Sequence, residues 1–70
     1  MEEKLLQTST LHEQFEILIF QVKDNYVSKV KKLNDANPIF TSYPWPHVET
    51  AKKEATDYVN HLNRNASYNE

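Results

Sequence analysis

Two histidine–carboxylate pairs are the residues best spaced for chemistry in this 70-residue chain. His12 and Glu16 are four positions apart, and so are Asp57 and His61. On a helix that spacing puts both side chains on one face, as half of a metal site or as an acid–base dyad. Neither pair is completed. A zinc site takes three or four ligands at recognised spacings, and this chain has three scattered histidines and no cysteine. The plainer reading is a pair of exposed helix ion pairs worth about 0.3–0.5 kcal/mol each. No metal and no cofactor is expected.

Other candidates for chemistry are weaker. Ser9, Ser28, Ser42 and Ser67 sit in no nucleophile motif. The chain has no glycine, so the glycine-rich phosphate loops are absent. A chain this short does not enclose a substrate pocket by itself, and the expectation is a protein that is not an enzyme. Lys23, Lys29, Lys31 and Lys32 beside Tyr26 form a small basic patch, diluted by Asp24 and Asp35. Net charge is −2 with both signs interleaved. A dedicated nucleic-acid binder usually shows a basic face instead. Nucleic-acid binding is therefore the alternative rather than the leading reading.

Tyr43-Pro44-Trp45-Pro46 is the most distinctive string. Its prolines fix φ and remove backbone donors, which stiffens it. Phe40, Tyr43 and Trp45 then either fold back to finish a small core or present a rigid aromatic anchor to a partner.

The element expected to position these residues is a long helix. With 100° per residue, Leu11, Phe15, Leu18, Ile19, Val22, Tyr26, Val30 and Leu33 share one stripe over six turns. A strand reading would set Phe15, Ile17 and Ile19 against Leu18 and Phe20. Both sets are apolar, and the alternation fails from Val22 onward. Thr10 and Glu13 suit a capping box. Lys29, Lys31 and Lys32 suit the helix C-terminus, and Asn34 to Pro38 suits its stop. A second helix is expected from Pro44–Val48 to Leu62–Asn65, with Val48, Ala51, Ala55, Tyr58, Val59 and Leu62 as its stripe.

The expected fold is all-α: an antiparallel helical hairpin with a Pro/aromatic connector, assembling into a dimeric bundle. Residues 1–9 would be an arm or extra helical turn, 10–65 the hairpin and 66–70 a flexible tail. Phe20 and Val27, with Ile17, lie outside the main stripe and form a second apolar patch. Cores of this size rarely supply more than about 3–5 kcal/mol unaided, which favours association.

The function that follows is a non-enzymatic protein–protein interaction module: a regulator, inhibitor or assembly subunit. Its partner is another protein chain, a second copy or a different protein. The partner-binding residues are Ile17, Phe20, Val27, Tyr43 and Trp45. An accessory subunit of a larger complex is a further alternative. The longest apolar run, Ile17 to Phe20, is far too short for a membrane span or signal segment. Asn65-Ala66-Ser67 is read as a chance sequon, and the compartment expected is the cytoplasm.

Overall fold

From Phe15 to Lys32 the chain is a β-hairpin, not a helix. The computed structural model describes residues 3–68, with side chains described as far as Arg64. Four strands, β1 (Glu3–Leu11), β2 (Phe15–Val22), β3 (Asn25–Lys32) and β4 (Phe40–Thr41), precede one helix, α1 (Val48–Tyr68). The strands form an antiparallel sheet in the order β1-β2-β3-β4. The all-α hairpin, its long first helix and the dimeric helical bundle built on it are thus overturned. The second helix of that scheme is present, as α1.

The strand residues explain the outcome. Phe15, Ile17 and Ile19 alternate along β2 and are at most 6% exposed. Their cross-strand partner positions include Val30 opposite Ile17 and Ser28 opposite Ile19, both fully buried. Opposed residues in an antiparallel pair share a face, so this is the face that α1 covers. The helix brings Ala51, Ala55 and Val59 to it, all at 0% exposure. Val48, Tyr58 and Leu62 complete the contact, joined by Leu11 and Phe40 from the sheet. Phe40 and Tyr58 stack at 4.4 Å between centroids.

Leu18, Phe20 and Val22 point to the other face. That is why the helical stripe looked continuous: it drew residues from both sides of one strand. The break in alternation after Val22 is the turn at Lys23 and Asp24. Lys23 has φ of 57° while Asp24 does not share the positive sign, so the two-residue hairpin turn carries its positive φ at the first position. Thr10 and Glu13 do not cap a helix. Thr10 lies in β1, and Glu13 lies in the β1–β2 turn, where it and His12 both have φ of 56°.

The expected boundaries move as well. Residues 3–9 belong to β1 rather than to an arm, and the first two residues lie outside the described range. Of the expected tail 66–70, α1 takes in the backbone to Tyr68, and the last two residues lie outside the described range.

Candidate functional site

Three of the four residues in the two histidine–carboxylate pairs meet other partners. His12 is in a turn, and its Nε2 meets the Asn60 Oδ1 of α1 at 2.9 Å. Glu16 lies in β2 and pairs with Lys31 at 3.2 Å. Asp57 pairs with Lys53, one turn before it, at 3.1 Å. Among the described residues, no three His, Cys, Asp or Glu side chains group closely enough to hold a metal ion.

The serines have structural roles where they are buried. Ser28 Oγ donates to the Ala51 carbonyl at 2.8 Å, tying β3 to the first turn of α1. Ser42 Oγ accepts from the Ser28 backbone N–H at 2.9 Å and donates to the Tyr43 carbonyl at 2.9 Å. These bonds lock the chain after β4 against β3.

Trp45 sits between the two expected roles. Its backbone N–H donates to the Tyr26 carbonyl at 2.9 Å and its carbonyl accepts from Tyr26 at 2.7 Å. The indole N–H donates to the Glu54 carboxylate of α1. The ring is half-buried and meets the Tyr43 ring in a tilted contact, 5.3 Å between centroids. Tyr43 itself is 67% exposed.

Of the five residues expected to bind a partner, Ile17 is 2% exposed beneath α1 and offers no surface. Phe20 and Val27 are direct cross-strand partners on the face that α1 leaves uncovered, but only Phe20 offers surface there: it is half-buried, whereas Val27 is buried, at 8% exposure. Around them stand Leu18 and Val22, both half-buried, and Leu5, which lies opposite Phe20 on β1 and is 49% exposed. Neither Leu5 nor Leu18 was singled out from the sequence as a binding residue. The strand period of two, with Phe20 as reference, would have found Leu18 and Val22.

Charge frames this apolar patch. Lys29 pairs with Glu3 at 3.1 Å and lies 4.9 Å from the centre of the Phe20 ring. Lys31 pairs with Glu16. Between the face and the β3–β4 connection is a shallow cleft of about 250 Å³, lined by Leu18, Phe20, Lys29, Lys31, Ala36 and Pro38. A larger cleft of about 470 Å³ lies at the end of the sheet, beside the β1–β2 turn, with Glu13, Phe15, Lys32 and Asp35 among its walls.

No helix among the described residues is long and apolar enough to cross a membrane. Comparison with family models, curated proteins and solved structures finds no match to this chain.

Proposed function

We propose that this protein is a non-enzymatic protein–protein interaction module that binds another chain through the uncovered face of its sheet. The observation that carries the reading is that face itself. Leu5, Leu18, Phe20 and Val22 form an apolar centre that α1, on the opposite side, does not cover. An apolar centre with a charged rim is the usual anatomy of a protein interface. Tyr43, exposed at the other end of the chain's aromatic string, adds a second contact. Regulator, inhibitor and assembly subunit are all roles such a surface serves. The cytoplasm stays the proposed compartment, since a chain without cysteine loses nothing there.

The nucleic-acid alternative has less support. The two lysines on this face, Lys29 and Lys31, are each paired with a glutamate. Phosphate binding needs cations that remain available.

The test is affinity capture from native cells with the full chain and with Phe20→Glu. Chains held by the wild type and lost with a Phe20→Glu protein of unchanged circular dichroism support the reading. A captured set indifferent to Phe20→Glu and to Leu18→Glu overturns it.

A further inference from the structure

The two edges of the sheet are built differently. One edge is closed: β4 has only two residues, and beyond it Trp45 pairs with Tyr26 between two prolines that carry no N–H. The other edge is β1, nine residues long and exposed over most of its length. Natural sheets blunt such an edge with charge, proline or a bulge. Here a bulge lies between Leu5 and Gln7, which leaves Gln7–Leu11 paired to β2 in unbroken register. That stretch, Gln-Thr-Ser-Thr-Leu, contains no charge and no proline.

We propose that β1 pairs antiparallel with β1 of a second copy, joining two sheets into one of eight strands. The inference keeps the view that this protein works by binding a chain, but it uses the strand edge and not the apolar face.

The central three residues of the edge, Thr8-Ser9-Thr10, read the same in both directions about Ser9. A two-fold axis there sets Thr8 against Thr10 of the second copy, Thr10 against Thr8, and Ser9 against Ser9. Cross-strand hydroxyl pairs of this kind favour pairing. No charge lies near the axis, where it would face its own copy. The nearest charged residues are Lys4 before the stretch and Glu13 after it. Antiparallel pairing brings Lys4 of one copy towards Glu13 of the other, so the ends attract.

The backbone is also in the correct phase. The Leu11 carbonyl accepts from the Gln14 N–H at 3.2 Å and so faces the hairpin. Backbone groups alternate in direction along a strand. Those of Ser9 therefore face β2, and those of Thr8 and Thr10 face outward. These are the two residues the axis places together, and they can exchange both hydrogen bonds.

Sedimentation equilibrium of the wild type, Thr8→Pro and Phe20→Glu tests this. Proline is tolerated at an outward-facing edge position but removes the donor that pairing needs. A wild-type dimer is expected, with the dissociation constant raised roughly 30-fold or more by Thr8→Pro and little changed by Phe20→Glu. Should Thr8→Pro not fold, Thr8→Lys combined with Thr10→Lys sets like charges opposite each other and gives the same readout. Hydrogen exchange adds a local measure: the Thr8 and Thr10 amides should lose protection on dilution. A wild type that is monomeric at high micromolar concentration overturns the proposal. So does a dimer dispersed by Phe20→Glu and indifferent to the edge variants, an outcome that would leave the proposed face-binding function standing.

Discussion

Lys23 occupies a backbone conformation that hairpins normally give to glycine. Its φ of 57° sets Cβ against the following carbonyl, at a cost of roughly 1–2 kcal/mol for an L-residue. A chain with no glycine accepts that strain at its turns. Lys23→Gly should therefore raise stability by about 0.5–1 kcal/mol, the relief being partly offset by the greater freedom of glycine in the unfolded chain. Lys23→Val should lower it by more than 1 kcal/mol, roughly, because a β-branched residue fits the left-handed region worst. Urea unfolding of the two variants would show opposite shifts. A second expectation concerns the buried serines. Ser42→Ala leaves the Ser28 N–H, on a fully buried residue, without its acceptor, which costs about 1–3 kcal/mol. Ser28→Ala removes a donor to the Ala51 carbonyl, an oxygen that α-helical geometry already supplies with a partner, and should cost about 1 kcal/mol. The order of the two losses in denaturant melts is the check.

At the scale of elements, α1 was legible and the sheet was not. Val48, Ala51, Ala55, Tyr58, Val59 and Leu62 repeat at helical spacing on an otherwise polar segment, and a period of two would split them between opposite faces, so only the helical period fits them. In β2 both faces carry apolar side chains: Phe15, Ile17 and Ile19 inward, Leu18, Phe20 and Val22 outward. Alternation between apolar and polar is the strand signal, and here it is erased. The turns gave no signal either, because His12-Glu13 and Lys23-Asp24 stand where Asn-Gly or Asp-Gly would mark a hairpin. The candidate face was legible only as far as Phe20 and Val27, two residues found on a helical wheel that are neighbours for a different reason. The small side chains of α1 carry a further consequence. Ala51 and Ala55 are fully buried where the helix meets the sheet, so the two layers are in close contact there. Ala55→Leu should force them apart and cost about 1–3 kcal/mol. Ala55→Ser, nearly the same size, should keep the packing and lose less. Thermal melts with near-ultraviolet circular dichroism, read at Trp45, would separate the two.

For the whole molecule, the decisive feature is that one helix covers one side of a four-stranded sheet. Ile17 and Phe20 are three residues apart on β2, yet they face opposite environments. Ile17 is 2% exposed, held between Val30 and the helix, within a core whose other members are Phe15, Ile19, Ala55 and Val59. Phe20 is half-buried, with Lys29 above its ring. A carboxylate at Ile17 would be buried without a partner, a change that removes several kcal/mol from a fold of this size, most of what it has. A carboxylate at Phe20 would remain hydrated and lie near Lys29, so the isolated chain should lose only about 1–2 kcal/mol, the part of the Phe burial that is forfeited. Ile17→Glu should therefore be unfolded and Phe20→Glu folded, as judged by far-ultraviolet circular dichroism and amide dispersion in NMR spectra. Equal damage from both would mean that Phe20 is as deeply enclosed as Ile17 in the native protein. The face would then be covered already by another chain at the concentration of the measurement. Repeating the Phe20→Glu melt over a range of protein concentrations distinguishes the cases, because coverage by a second copy makes the midpoint depend on concentration and enclosure within one chain does not.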